Sequence, residues 1–174
     1  LGVTGALTTS GQINTLAMTG PKTDFTSSLL IGTTSTGTLS GANRNTGVGI
    51  QVFGALTSGD NNTAIGMNAL AANTTAANNT AVGCGALESN TGGARNTAVG
   101  SGALCSSNSN YNTAVGFAAL QNTTSGYHNT GIGYFSGVTN TTGHDNTSLG
   151  LCSLHANTTG DHNVAIGVCA LDSN

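Results

Sequence analysis

The sequence has very little charge, few aromatic side chains and almost no proline. Charged residues make up 5% of the 174 residues and aromatic residues 4%, with no tryptophan and a single proline, Pro21. Only Lys22, Arg44 and Arg95 are basic, so the chain lacks the positive patch that nucleic-acid binding requires. No apolar run approaches the roughly 20 residues of a membrane-spanning helix. These absences argue against a nucleic-acid-binding protein and against membrane insertion of this segment.

Recognisable catalytic and metal-binding motifs are also missing. The four cysteines, Cys84, Cys105, Cys152 and Cys169, show no Cys-x-x-Cys or Cys/His spacing. Cys152 and Cys169 share a column and could form a bridge between adjacent coils, but we favour free thiols, which fits assembly in a reducing cytoplasm. The sequence has no serine-nucleophile motif, no phosphate loop and no carboxylate pair placed for acid–base chemistry. We therefore expect no enzyme activity, no cofactor and no metal.

The most prominent positive feature is an internal repeat, the pattern that identifies solenoid proteins. The segment Asn-Thr-Ala-Val-Gly occurs at Asn79 and at Asn96, and close variants occur before and after. The anchor asparagines are 17 residues apart except for the interval from Asn96 to Asn112, which is 16. We number each unit from its anchor as position 1. The anchors, which we expect to form a ladder in a turn, are Asn45, Asn62, Asn79, Asn96, Asn112, Asn129, Asn146 and Asn163.

The apolar residues of the repeat follow a strand pattern and not a helical one. Position 4 is always aliphatic, position 5 is always glycine and position 9 is mostly leucine. Apolar residues do not recur at helical spacing, and glycine interrupts every segment. In a strand, position 4 faces away from positions 3 and 5. We predict that positions 4 and 9 form the core of each coil: Val48, Ile65, Val82, Val99, Val115, Ile132, Leu149 and Ile166, with Leu70, Leu87, Leu104, Leu120, Leu154 and Leu171.

Stacking such units predicts an all-β fold, a parallel β-roll or β-helix solenoid with a 17-residue repeat. We expect two short strands and two turns per coil, with the Asn-Thr-Thr-Gly run in an exposed loop. Each coil has few large side chains to bury, and the face with Ala, Ser and Gly would remain bare. Two further copies of the chain would cover that face, so the expected state is a homotrimeric fibre.

The repeat covers residues 45–174, which hold eight units with the last incomplete. Residues 1–44 do not follow it, and we predict an irregular β-rich shaft or adaptor segment there, joined to the repeats near Arg44. Pro21 marks a break within it. Since the chain begins with Leu1 and not with methionine, we expect it to be part of a longer protein.

The repeat motifs resemble those of known trimeric surface proteins. Asn-Thr-Ala-Val-Gly, and Asn-Val-Ala-Ile-Gly at residues 163–167, resemble the head repeats of trimeric autotransporter adhesins, where a similar motif builds a trimeric left-handed β-roll. The Ala-Leu and Asn-Thr-Thr-Gly parts resemble repeats in bacteriophage tail fibres and in fibre proteins of large DNA viruses. The unit here is longer than the adhesin unit. The resemblance implies a trimer at a virion or cell surface.

The leading functional hypothesis is a structural trimeric fibre segment of a virus or phage, located in a tail or receptor-binding fibre and supporting host attachment. The alternative is the head of a bacterial trimeric autotransporter-like adhesin, on the extracellular cell surface. An ice-binding solenoid is a weaker third hypothesis, because the position-2 threonines are assigned to the inner face. The expected partners are two copies of the same chain and a host-cell receptor or glycan.

Side chains that differ from coil to coil are the candidates for recognition. The residue before each anchor, position 17, includes His128, Asp145 and His162 in successive coils. The two histidines would lie roughly 9–10 Å apart, too far to bind one ion directly. We interpret this edge as solvated. The candidate surface residues are Arg95, Tyr111, Tyr127, His128, His144, Asp145, His155 and His162.

Overall fold

The described part of the chain is a parallel β-solenoid. A computed structural model describes residues 27–32 and 36–173. These residues contain nine three-residue strands and no helix. The strands are β1 (Leu29–Ile31), β2 (Thr46–Val48), β3 (Thr63–Ile65), β4 (Thr80–Val82), β5 (Thr97–Val99), β6 (Thr113–Val115), β7 (Thr130–Ile132), β8 (Thr147–Leu149) and β9 (Val164–Ile166). They form one parallel sheet in chain order, which confirms the predicted fold class.

The register between coils equals the sequence repeat. Thr46 lies opposite Thr63, and equivalent positions pair at every later interface. At the shorter interval Thr97 lies opposite Thr113, so the missing residue is absorbed outside the strand. Only one strand forms per coil, not the two predicted. The remaining turns also stack through backbone bonds, such as the one that Leu87 N–H donates to the Ala103 carbonyl at 3.1 Å.

The coil stack begins earlier than residue 45. Strand β1 pairs in register with β2, with Leu29 opposite Thr46. The Asn45 N–H donates to Ser28 Oγ at 2.9 Å, so Ser28 occupies the anchor position one coil earlier. The predicted boundary at residue 44 therefore does not mark the start of the stack. Most of the predicted adaptor, residues 1–26 and 33–35, lies outside the described residues, as does residue 174.

The small side chain at position 3 points into the coil, and the aliphatic side chain at position 4 points out. Ala98 is fully buried, whereas its neighbour Val99 is 37% exposed. The predicted buried column at position 4 is therefore wrong, and its members lie half-buried or exposed on the outer face: Val48, Ile65, Val82, Val99, Val115, Ile132, Leu149 and Ile166.

The width of the interior explains this orientation. At position 3 most coils accommodate a single methyl group, as at the fully buried Ala98, and at Gly131 even a Cβ would lie 2.7 Å from Leu120 Cγ. The leucines at position 9 already fill the space that a branched side chain would need. Their predicted burial is confirmed for Leu70, Leu87, Leu104, Leu120 and Leu154. Leu171, in the last described coil, is 45% exposed.

The anchor asparagines form the predicted ladder, but inside the coil. All are buried except Asn163, which is half-buried. The Asn112 N–H donates to Asn96 Oδ1 at 2.9 Å, and the same bond recurs between successive anchors. Asn96 Nδ2 also donates to the Ser109 carbonyl at 2.7 Å. These bonds satisfy amides that would be costly to bury unpaired.

A second buried polar column lies at position 12, within the run predicted to be an exposed loop. It includes Asn73, Asn90, Asn140 and Asn157, whose side chains are buried while the following threonines are partly or fully exposed. Asn90 Oδ1 accepts from the Gly93 N–H at 2.9 Å, and Asn90 Nδ2 donates to the Gly93 carbonyl at 2.8 Å. The asparagine thus closes the turn from inside.

The position-5 glycines allow adjacent coils of the same chain to approach closely. Gly66 has a φ of +124°, and a Cβ there would lie 2.6 Å from the Gly83 carbonyl oxygen. The same contact recurs along the column. We expected the bare face to be buried between chains. Instead, a side chain at position 5 would collide with the next coil of the same chain. The position-3 alanines face the interior of the coil.

Candidate functional site

The outer face of the sheet carries a continuous apolar surface, which we call the outer stripe. It consists of the position-4 column and of position 6, which holds Ile50, Met67, Cys84, Ser101, Phe117, Tyr134, Leu151 and Val168. Many of these side chains are well exposed, among them Phe117 at 48%, Tyr134 at 49% and Met67 at 50%. The rings of Phe117 and Tyr134 stack across adjacent coils, with centroids 5.3 Å apart.

The outer stripe is long enough to be an interaction surface. From β2 to β9 it crosses seven strand spacings, or about 34 Å at about 4.8 Å each. Neither column contains a charged residue. Contiguous exposed apolar surface of this extent marks a protein or membrane contact more often than a solvated face. The sequence pattern identified the position-4 residues but assigned them to the interior.

A second candidate surface, which we call the loop edge, is formed by positions 16 and 17. The position-17 residues adopt left-handed backbone geometry, for example His128 at φ 55° and Asp145 at φ 56°. The buried anchor ladder fixes the turn, so the exposed side chain before each anchor can differ from coil to coil.

Toward the C-terminal end of the loop edge, three histidines surround one carboxylate. Asp145 Oδ2 lies 2.9 Å from His144 Nδ1 and 3.8 Å from His162 Nε2. Asp145 Oδ1 lies 3.3 Å from His128 Nδ1. On the far side of the His144 ring, Nε2 lies 3.4 Å from Asp161 Oδ2. These five residues, drawn from three successive coils, are the His–Asp cluster.

The cluster keeps its central carboxylate ionised. The hydrogen bond from His144 lowers the pKa of Asp145, and His128 acts in the same direction, against an opposing effect of partial desolvation. Asp161 also accepts a bond from the His144 backbone N–H at 2.8 Å, which ties the two coils together.

Aromatic residues continue the loop edge toward the N-terminal coils. The rings of Tyr127 and His144 stack with centroids 4.8 Å apart, and those of Tyr111 and His128 lie 5.1 Å apart. Arg95 Nη1 donates to Tyr111 Oη at 2.9 Å. Of the predicted recognition residues, all but one therefore form a continuous row from Arg95 to His162. His155 is the exception, since it lies elsewhere on the coil and pairs with Asp172 at 3.8 Å.

A recess interrupts the loop edge where the repeat is one residue shorter. Its volume is about 440 Å³, and it is lined by Asn108, Ser109, Asn110, Tyr111, Ser125, Tyr127 and His128. Asn108 Oδ1 accepts from the Gly92 N–H at 2.9 Å, which holds the shortened loop against the preceding coil. Amides, hydroxyls and aromatic rings thus meet in one concave site.

Sequence spacing missed the role of position 16. His128 and His162 lie two coils apart on one column, but His144 lies between them on the neighbouring column. The signal was present, since Tyr127, His144 and Asp161 recur at 17-residue spacing. All four cysteines are free thiols, as expected. Burial raises the pKa of Cys105, and the Glu88 carboxylate 3.8 Å away adds to this effect.

The described residues thus define a parallel β-solenoid with an apolar outer stripe and a polar, histidine-bearing loop edge. Comparison with known proteins found no matching family model, no matching curated protein and no matching solved structure. Among the described residues, no helix is long and apolar enough to cross a membrane.

Proposed function

We propose that this chain is a structural segment of a homotrimeric fibre of a virus or bacteriophage, part of a tail or receptor-binding fibre that supports host attachment. The outer stripe is the observation that carries this proposal. Its apolar side chains recur once per coil and remain in contact with water in a single chain. Transfer of such a side chain out of water is worth up to about 1.5–3 kcal/mol, so a partner on this face would add substantial stability.

The spacing of the stripe favours a second copy of the chain as its occupant. A partner that fills every step must repeat at the strand spacing of about 4.8 Å over about 34 Å. A parallel copy of the same solenoid has that spacing along its whole length. Few other surfaces would match it.

Three copies of the chain would cover both columns of the outer stripe. In a cyclic trimer, the position-4 column of one chain can pack against the position-6 column of the next, a head-to-tail contact that closes after three steps. The resemblance to trimeric adhesin heads and phage fibres supports the same number. The trimer would then be held together by side chains that the single coil cannot bury.

A fibre role follows from how a solenoid grows. Each coil contacts mainly its neighbours, so added coils extend the stack without changing its cross-section. The nine described strands already span about 38 Å at about 4.8 Å per step. The expected contribution of this segment is length, stiffness and trimeric register.

The recess at the loop edge favours a second candidate function, an adhesin head that binds its receptor through the solenoid itself. Its tyrosines and asparagines offer an aromatic surface and amide hydrogen bonds, which suit a glycan. Three copies of such a recess in a trimer would multiply a weak contact by avidity.

The ice-binding hypothesis also needs revision. The position-2 threonines share the outer face with position 4, where we had assigned them to the inner one. Beside them, however, position 6 varies from Ser101 to Phe117, which makes the surface uneven. This unevenness fits interlocking protein side chains better than a flat ice lattice.

Two variants distinguish a spacer from an adhesin in the particle or cell that carries the chain. One replaces the aromatic and charged side chains of the recess and loop edge and its histidines by Ser or Asn, and the other lacks residues 62–95, two whole coils. A spacer retains attachment with the first variant and is at most weakened by the second. Loss of attachment with the first variant, while the trimer stays intact, would assign recognition to the solenoid itself.

A further inference from the structure

The His–Asp cluster contains the components of a metal site that the sequence did not predict. We propose that His144, Asp145 and His162 bind a divalent transition-metal ion, best matched by Zn²⁺, with Asp161 and His128 orienting the ligands. This inference does not depend on the proposed fibre function.

The three ligand atoms already lie close together. One nitrogen or oxygen from each of His144, Asp145 and His162 lies within 4.8 Å of the other two. A tetrahedral zinc ion with bonds of about 2.0–2.2 Å separates its ligand atoms by roughly 3.3–3.5 Å. The observed separations from Asp145 Oδ2, 2.9 Å and 3.8 Å, fall on either side of that value. Small rotations of partly exposed side chains would bring the set to bonding distance.

The residues around the three ligands support a metal site more strongly than the ligands do alone. A histidine that binds a metal through one nitrogen usually presents the other to a carboxylate or carbonyl, which fixes the ring. Here Nδ1 of His144 faces Asp145, while its Nε2 lies 3.4 Å from Asp161. The second oxygen of Asp145 in turn faces His128 Nδ1 at 3.3 Å. A simple surface ion pair would need neither of these outer partners.

The donor set also selects the kind of ion. Two imidazole nitrogens and one carboxylate suit Zn²⁺, Cu²⁺ or Ni²⁺, whereas Ca²⁺ and Mg²⁺ prefer oxygen ligands. With neutral imidazoles, Asp145 and Asp161 contribute two negative charges, which a divalent ion balances. Three protein ligands leave a fourth position for water or for a group on a partner.

The site would join two adjacent coils. His144 and Asp145 end one repeat unit, and Asp161 and His162 end the next. An ion held between them would clip these coils together near the C-terminal end of the stack. In its absence, exposed His–Asp pairs of this kind contribute little to stability.

Calorimetric titration of the metal-free full chain with ZnCl₂ tests the proposal. We expect one ion per chain, and at least a tenfold loss of affinity in His144→Asn and in His162→Asn. Asp161→Asn should weaken binding by about tenfold or more through loss of ligand orientation. The matched control is His155→Asn, which removes the one histidine outside the cluster and should leave affinity unchanged.

Zinc also binds thiolates, and Cys152 and Cys169 occupy the same position in adjacent coils, so a second comparison is needed. Cys152→Ser/Cys169→Ser should retain full zinc affinity, and Co²⁺ bound to this variant should give the visible absorption of a tetrahedral nitrogen–oxygen site. Far-UV circular dichroism checks that each variant is folded. Loss of binding in the cysteine variant, unchanged affinity in His144→Asn, or no heat of binding to the wild-type chain would each overturn the proposal.

Discussion

The residues on the inner face of the sheet and those on its outer face both recur in every coil, but for different physical reasons. Inside, Ala98 at position 3 recurs as a small residue because neighbouring leucines leave no more room. Outside, Val99 at position 4 is equally regular, yet it remains 37% exposed in the described structure. Regularity on an inner face is explained by the coil itself. We propose that the regular outer face is matched by a partner with the same spacing, which is the basis of the proposed trimer.

The largest effect is expected from a side chain in the contact between coils. Gly100→Val would place a branched side chain against the Gly116 carbonyl at a φ of +139°, and should prevent stacking at that point. We expect a loss of more than about 4 kcal/mol or failure to fold, measured by thermal unfolding followed by circular dichroism. Gly92→Val is the control, since a Cβ at Gly92 meets nothing within 4 Å. Equal damage from both changes would contradict the assigned role of the glycine column.

Deletions test whether the 17-residue period is the structural unit. Removing residues 79–95 takes out one coil and joins Asn78 to Asn96 in register, so the stack should fold with one coil fewer. Removing residues 79–83 deletes strand β4 and leaves the anchors out of step. The shorter deletion should therefore be the more damaging in circular dichroism and limited proteolysis. The opposite order would mean that the coils are not independent units.

A smaller loss is expected from the buried ladder. Asn96→Ala removes the acceptor for the Asn112 N–H and the donor to the Ser109 carbonyl. Each buried group left unpaired costs about 1–3 kcal/mol, so the free energy of unfolding should fall by a few kcal/mol. Asn122→Ala, at an exposed position, should change it little. Similar values for the two variants would show that the ladder is not a stabilising element.

The smallest effects are expected from single substitutions that compare the inner and outer faces of the sheet. Ala98→Val adds two methyl groups to a filled interior and should lower the free energy of unfolding of each coil stack by about 1–3 kcal/mol. Val99→Ala should leave strand content unchanged and weaken association between chains. Chemical denaturation measured across a range of protein concentrations distinguishes a loss of stability within one chain from a loss of association between chains. A concentration-independent loss in Val99→Ala would place that side chain in the chain's own core.

Much of the fold could be predicted from spacing alone. The coil length, the register and the strand positions follow from the recurrence of anchor, aliphatic and glycine residues. Alternation also shows which residues share a face, but it does not show which face is buried. That depends on the width of the coil, which is set by leucines at left-handed turns such as Leu70 at φ 51°.

The polar interior and the loop edge were harder to predict. Hydrophobicity places asparagine outside, whereas here Asn90 and Asn96 are buried because adjacent turns satisfy their amides. At the loop edge, column spacing located His128, Asp145 and His162 correctly. The position of His144 beside them depends on how positions 16 and 17 project from the turn, which the repeat pattern does not specify.

We predict that a charge introduced into the outer stripe weakens the association between chains. Ile132→Asp should dissociate the chains while leaving strand content intact, because its side chain lies on the outer face. Asn122→Asp adds the same charge at an exposed position off the stripe and should leave association unchanged. Light scattering with circular dichroism distinguishes dissociation from unfolding.

Sedimentation equilibrium of the unmodified chain tests the central claim most directly. The outer stripe predicts a particle of three times the chain mass of 17.0 kDa, persisting on dilution as long as strand content is retained. A folded species of 17.0 kDa, stable across the same concentrations, would show that the exposed aliphatic column needs no partner and would contradict the account.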